Sequence, residues 1–513
     1  MAYQKFRKAI TSHPFISSFL AGALASLSLP PFYVTPAFLL MGFVIYQAAS
    51  ASHWRGALIH ISLGAYGWFL SSLYWIGHSL LIGDADYWFL LPFAFFGIPV
   101  IVSLFWSVFG SLGYRFGKSL SARILFILIA LGFAEWAREF FATGFPWNAP
   151  GLIFLVSAPS AYLASFMGQT GLNILAFICA GIMPLWMALS VASRRWLMGI
   201  CSALAVMMIG MSYFHSQQMP IASSDKPSTI RLVQPAIEQA EKWQADKRAQ
   251  HLAKMLSLSK SPSDQPIDFV IWPEAAIAGN YVRNKDLVAD MADQIAEFHQ
   301  QSGGSGQWLT GVLRTNGVNK IYNSALVFRV DGTKAFYDKT HLVPFGEYVP
   351  WRFIPFIDAI AGPVDFQAGS FVSPITVPDI GLVLPLICYE AIFPALTGRA
   401  TQRPDLLVNI TNDAWFGHTS GPYQHLAQTR MTAISYGLPL ARVANTGISA
   451  LFDAKGTMIE YLPLGTVGVI DAKLPHALPA TIFARFGALP AALMLLSLLV
   501  FALVLDRVGQ KRQ

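Results

Sequence analysis

The apolar residues of this chain are gathered into eight long runs, at about 11–29, 35–50, 57–79, 87–112, 122–139, 161–191, 195–213 and 483–505. A bilayer core of about 30 Å takes roughly 20 apolar residues as a helix. Lipid offers the backbone no hydrogen-bond partners, so such runs must be helical. The patterning therefore predicts a multi-span α-helical membrane domain. Only 12% of the 513 residues are charged against 54% hydrophobic, where a soluble domain carries about a quarter charged. The second run is short, and Pro30 and Pro31 make the first two a candidate hairpin. The fifth carries Glu135, Arg138 and Glu139 near its end, which predicts an exit into the interface.

The loops set the expected orientation. Lys5, Arg7 and Lys8 precede the first run, Arg55 follows the second, and Arg115, Lys118 and Arg123 follow the fourth. Arg194 and Arg195 follow the sixth, and Arg507, Lys511 and Arg512 the eighth, while Asp84 and Asp86 fall in an alternate loop. Basic residues all on one side place both termini in the cytoplasm. A net charge of +7 distributed this way marks topology, so no nucleic-acid partner is expected. The expected organisation is a transmembrane domain of about seven helices over 1–213, an extracytoplasmic domain over 214–482 with its core at about 228–475, and a last span and short tail over 483–513. Reading the first run as a signal peptide ending at Ala23-Leu24-Ala25 would leave the polar domain on the same side.

From Ser228 short apolar runs alternate with amphipathic stretches. Strands are predicted at Ile230–Val233, Phe269–Trp272, Trp308–Leu313, Ser324–Arg329, Leu382–Ile387 and Leu406–Ile410, and helices at Ala245–Ser257 and Lys285–Gln301. Strands apolar on both faces, interleaved with helices, indicate an α/β sandwich, and in open α/β sheets chemistry gathers at the carboxyl ends of strands. Phe269–Trp272 runs through Pro273 into Glu274, Leu384–Ile387 runs into Cys388, and Lys339 follows the hairpin-like stretch 324–337. Cys179 and Cys201 lie in apolar runs, which leaves Cys388 as the single cysteine of the polar domain. Acyl chemistry at a thiol needs a base for its proton and a cation for the oxyanion. Each residue alone has an ordinary structural reading; the three together supply those functions.

The motifs Trp272-Pro273-Glu274-Ala275-Ala276, Tyr337-Asp338-Lys339-Thr340-His341 with Pro344-Phe345-Gly346-Glu347-Tyr348, and Ile387-Cys388-Tyr389-Glu390, in this order, resemble the nitrilase superfamily over about 228–475. The αββα sandwich is that superfamily's fold. With spans on both flanks, the whole chain is similar to apolipoprotein N-acyltransferases, and Trp243, Asn323-Ser324, Asn412-Asp413-Ala414-Trp415-Phe416 and Asn445-Thr446-Gly447 match as well. The resemblance implies Cys388 as nucleophile, Glu274 as general base and acid, and Lys339 as oxyanion stabiliser, with Trp243, Glu347, Tyr389, Glu390 and Trp415 binding substrate or supporting the site. Tyr389 is expected to offer its backbone N–H to the oxyanion. An ordinary thiol has a pKa near 8.5, so a neighbouring ammonium is expected to favour the thiolate.

The implied reaction takes a fatty acyl group from a phospholipid, with phosphatidylethanolamine as expected donor, and passes it to a diacylglyceryl-lipoprotein acceptor. It is implied to run in the bacterial inner membrane, in a monomer, with no metal or organic cofactor. Two rivals stand beside it. A membrane-anchored amidase would give the acyl group to water, although one span would suffice to anchor it. A transporter would need more intramembrane charge than His60 and the 135–139 group provide. Two loops invite membrane roles. Trp351-Arg352-Phe353-Ile354-Pro355-Phe356-Ile357 is apolar enough to dip into the interface and admit lipid, and Gly144-Phe145-Pro146-Trp147-Asn148 is placed to floor that entrance.

Overall fold

The computed structural model describes residues 13–82, 88–220, 228–316, 320–350, 352 and 365–510. They form two compact units. One holds the chain up to Leu81, from 88 to Gln217 and from Ile482 onward, and the other holds Gln218–Thr481.

The first unit is helical: α1 (Pro14–Ala25), α2 (Leu40–Ser50), α3 (Trp54–Ser72), α4 (Ile98–Phe116), α5 (Leu120–Arg138), α6 (Ala164–Ala188), α7 (Val191–Ser216) and a last helix, Leu489–Gln510. Among the described residues five helical stretches are long and apolar enough to cross a membrane, and Trp54–Ser72 with Tyr74–Leu81, bent by 43°, makes a sixth if counted as one. The runs expected as spans at 11–29 and 35–50 fall short, giving only Pro14–Ser28 and Thr35–Ser50. Pro30, Pro31 and Pro36 are the reason, since proline removes a helix donor and clashes with the preceding turn. Helix α1 instead lies close along α3: a Cβ on Gly22 would sit 1.9 Å from the Gly64 carbonyl oxygen. Small residues permit that approach where lipid provides no hydrophobic drive between helices.

Two expectations for this unit are corrected. Glu135, Arg138 and Glu139 are buried rather than interfacial. Arg138 pairs with Glu135 at 2.7 Å, Trp106 Nε1 donates to Glu135 at 2.6 Å, and Thr170 Oγ1 donates to Glu139. Trp147, expected at the interface, is 2% exposed. Arg138 Nη1 donates to the carbonyls of Phe145 and Trp147, both at 2.7 Å, and ties their loop inward. A buried ion is tolerable once its donors are satisfied.

The second unit is built on two sheets. Strands β1 (Thr229–Gln234), β2 (Phe269–Ile271), β3 (Ile277–Asn280), β4 (Gln307–Asn316), β5 (Lys320–Phe328) and β6 (Lys334–Asp338) come first. Then follow β7 (Ile375–Val377), β8 (Gly381–Ile387), β9 (Leu406–Thr411), β10 (Leu440–Ala444), β11 (Ser449–Phe452), β12 (Met458–Leu462) and β13 (Gly468–Lys473). One sheet runs β13-β1-β2-β4-β5-β6 with β3 beside β4, the other β12-β11-β10-β9-β8-β7. They face each other through β1 against β10 and β5 against β8. Helices α8 (Arg248–Ser259) and α9 (Tyr281–Gln301) cover the first sheet, and α10 (Gly421–Tyr436) packs on β10 of the second. This is the expected αββα sandwich. Both β2 and β8 are parallel to a neighbour, β2 to β1 and β8 to β9, so their carboxyl ends open on one rim.

Candidate active site

Three loops leave that rim. Strand β2 is apolar throughout and runs into Trp272-Pro273, whose proline has no N–H to give the ladder but whose carbonyl still accepts from the Gly311 N–H of β4. The chain then turns through Glu274 into Ala275, whose φ is +44°. Glu274 is 8% exposed. Its Oε1 accepts from Asn323 Nδ2 at 2.8 Å and its Oε2 from the Asn412 N–H at 3.0 Å. Lys339 is the first residue after β6 and is 1% exposed. Its ammonium lies 2.8 Å from Glu347 Oε2 and 3.8 Å from Glu274 Oε1. Cys388 is the first residue after β8 and sits at φ +51°, on a single turn of 3-10 helix running to Ile392. Strained backbone at a non-glycine residue persists only where the surroundings over-determine it. The charges of Glu274 and Lys339 both act on the Cys388 thiol.

The other candidates divide. Glu347 is part of the cluster: Oε2 pairs with Lys339 and accepts from the Val343 N–H, while Oε1 accepts from Asn323 Nδ2. One side-chain amide, Asn323, thus bridges both carboxylates. Glu390 is fully buried and braces two loops. It accepts from Tyr337 Oη, from the N–H and hydroxyl of Thr340, from the His341 N–H and from the Ile387 N–H. Burial pushes its pKa up against those donors. Tyr389 is buried, its ring 5.0 Å from that of Phe393. Trp243 and Trp415 are both exposed, the first beside Lys242, the second in the turn Asp413–Phe416. The apolar stretch 351–357 lies outside the described residues except for Arg352, which grips Asp365 at 2.8 and 3.0 Å. Among the described residues no group of three or more His, Cys, Asp or Glu is placed to hold a metal ion.

Residues 229–481 match the carbon-nitrogen hydrolase family model, and residues 21–182 match the apolipoprotein N-acyltransferase N-terminal domain. The chain is 34% identical to the apolipoprotein N-acyltransferase of Rhodopseudomonas palustris, covering 96% of this chain and 95% of that one. It is 35% identical to that of Bradyrhizobium diazoefficiens, over 96% and 94%. The chain belongs to the apolipoprotein N-acyltransferase family. It is an acyltransferase of the nitrilase superfamily with a membrane domain. A carbon-nitrogen hydrolase from Helicobacter pylori G27 aligns with 48% of this chain and 89% of its own, at 15% identity and a TM-score of 0.37.

The Lys339 ammonium favours the Cys388 thiolate, as expected, but larger influences act on that sulfur. Burial and then the Glu274 carboxylate push the Cys388 pKa up to about 12, outweighing the Lys339 ammonium. For Lys339 itself burial opposes the charge, but Glu347 and then Glu274 overcome it and raise its pKa. Burial and Glu274 thus favour the neutral thiol at Cys388, while the two carboxylates favour the ammonium at Lys339.

Sequence reasoning missed the layer behind the nucleophile. His425 Nε2–H donates to the Cys388 carbonyl at 3.1 Å, and His425 Nδ1 lies 2.9 Å from Asp413 Oδ1. Asp413 also pairs with Arg442, and all three side chains are fully buried. The family resemblance had picked out Asn323 and Asp413 without a role, whereas His425 and Arg442 carried no signal. Lys242 was missed as well; it is buried, and its Nζ donates to the Glu274 carbonyl at 3.0 Å.

Gly311 on β4 gives a direct test of the Glu274 loop. A Cβ there would lie 2.4 Å from the Ala275 nitrogen, 2.6 Å from the Pro273 oxygen and 2.7 Å from the Glu274 Cα. Those are backbone atoms, so the loop must move. Gly311→Ala should cost about 1–3 kcal/mol of stability, the usual range for overpacking. Turnover should fall further than the stability loss accounts for, in an assay run well below the melting temperature.

Proposed function

We propose that this protein moves a fatty acyl group from a membrane phospholipid to the α-amine of an S-diacylglyceryl cysteine at the N-terminus of a lipoprotein precursor. The carrier is a thioester on Cys388. One observation supports this above the others: a thiol, a carboxylate and an ammonium act on one another at a sheet rim, in a chain with several membrane-length helices. The acceptor class follows from the relatives' printed function.

In the first half-reaction Glu274 takes the Cys388 proton as sulfur bonds to the ester carbonyl carbon. The oxyanion forms against Lys339, and the Tyr389 N–H, next after the nucleophile, is the second donor. As the C–O bond breaks, Glu274 returns the proton to the leaving glyceryl oxygen and lysophospholipid departs. In the second half the neutral amine attacks the thioester carbonyl. Glu274 takes a proton from that nitrogen and gives it to the departing sulfur, leaving an amide and a free thiol. A base near a buried neutral thiol contributes typically 10²–10⁴-fold, and one oxyanion contact about 3 kcal/mol. Both substrates are lipids of one leaflet, which gives the membrane domain its purpose. The topology that suits them has both termini in the cytoplasm and the catalytic unit outside the inner membrane, acting as a monomer on phosphatidylethanolamine.

Purified protein incubated with phosphatidylethanolamine and a diacylglyceryl-cysteinyl peptide should yield N-acylated peptide and lysophospholipid in equal amounts, with ping-pong kinetics. Free fatty acid in place of N-acylated peptide would mean that water is the acceptor and the protein a hydrolase.

A further inference from the structure

Lys242 has no part in the reaction as written, yet it sits against the general base. The side chain is 5% exposed, and its field acts on both Glu274 and Cys388. An ammonium has three donors. Among the described residues one is used, by the Glu274 carbonyl. Lys242 also forms part of the wall of a cavity of about 280 Å³ beside the Glu274 loop, with Arg248, His251, Asn284 and Ala276 around it. None of the lining residues is acidic. Glu241, on the same short turn, is taken up by Lys247. Burial lowers the His251 pKa, so this imidazole is neutral and offers one N–H. The wall therefore presents an ammonium, a guanidinium, an imidazole and an amide, and Leu252 and Leu287 supply apolar surface.

Two cations in a wall that holds no acidic side chain, one of them withdrawn from water, make a site for an anion. The guanidinium fork matches two oxygens of a phosphate, and the ammonium serves as a point charge. We propose that this cavity binds a phosphate group, and that during the reaction the group is the phosphodiester of the donor lipid. The inference rests on the reading that the donor is a phospholipid. In such a lipid the phosphate and the reacting ester are joined through one glycerol. Lys242 is likewise one hydrogen bond from the residue that serves the ester. Holding the phosphate thus brings the carbonyl to Cys388, which is remote binding energy spent on orientation.

The test follows acylation of the full-length protein by intact mass, at subsaturating donor. One donor is phosphatidylethanolamine and the other the phosphate-free p-nitrophenyl palmitate. For Arg248→Gln the rate with phosphatidylethanolamine relative to the ester should fall about tenfold, the loss of one charged contact. Arg248→Lys should restore part of that ratio. Inorganic phosphate should compete with phosphatidylethanolamine in the wild type and much less in Arg248→Gln. An unchanged ratio without competition by inorganic phosphate overturns the site. Competition by inorganic phosphate with no change in the phospholipid ratio shows a free-anion site and overturns the assignment to lipid. If the wild type gains no acyl mass from either donor, the proposed reaction itself is wrong, which separates the two failures.

Discussion

Cys388→Ala should fold normally and gain no acyl mass from any donor, with transferase activity down by at least about 10⁴-fold, as expected when a covalent nucleophile is lost. Folding is spared because alanine keeps a Cβ at φ +51°. The strain is the same, and the carbonyl that His425 holds is a main-chain atom. Chemistry is lost because alanine brings no nucleophilic atom to the place where the charges of Glu274 and Lys339 act. Cys388→Ser adds a finer reading. With a thiol pKa of about 12, the wild type already depends on Glu274 to remove the proton. The serine enzyme asks the same of a still weaker acid, so it should acylate measurably but far more slowly, as an oxyester stable to hydroxylamine at neutral pH. Intact mass and hydroxylamine treatment read both variants. An acyl adduct on Cys388→Ala would sink the assignment.

The second large effect is on stability. Asp413→Asn should cost about 3–5 kcal/mol, the range for breaking a buried pair from one side. Arg442 is fully buried and would lose its one anionic partner among the described residues, keeping neutral partners at Asn409, Thr429, the Ile448 carbonyl and His425 Nδ1. Burial opposes ionisation of Asp413, but Arg442 and then His425 outweigh it and hold its pKa at about 2. The sign follows from that depression. The folded state binds fewer protons than the unfolded chain, so the contribution is complete above the ordinary Asp pKa near 3.9 and is lost as pH falls toward 2. Thermal unfolding in detergent from pH 7 to pH 3 should show the wild type losing part of its margin over the variant below about pH 4. Wild type and Asp413→Asn melting together at neutral pH would refute the pairing argument. Turnover should fall as well, because His425 loses the partner that aims it at the Cys388 carbonyl.

Much of the fold was legible where one physical requirement acts on contiguous residues. Strands β2 and β9 are buried along their whole length and β8 over its last five residues, and all three read as largely apolar runs. Helix α9 keeps one apolar face, with Val288, Met291, Ala292 and Ile295 buried. Helix α10 was missed for the opposite reason. It is buried nearly all round, yet its buried residues include Gln424, His425, Gln428, Thr429 and Thr432. His425, Thr429 and Thr432 bond to residues distant in the chain, and no periodicity reports that. The short β10–β13 strands went unread for a related cause: β12 is mostly exposed, and β1 finds β13 across more than two hundred residues.

In the membrane unit, length and apolarity sufficed for most helices, but proline kept the first two short, and Arg138 drew its carboxylate and loop inward. The sequence by itself determined the αββα class and the membrane-helix unit, and it singled out the thiol, carboxylate and ammonium that the fold brings together, since these depend on residue type and local order. Only the tertiary structure decided that burial and Glu274 favour the neutral thiol at Cys388 and that Glu390 is a brace. It alone placed His425, Asp413 and Arg442 behind the nucleophile and Lys242 beside the base. Protonation and support depend on distances between residues far apart in the chain, and those distances exist only once the sheets have closed.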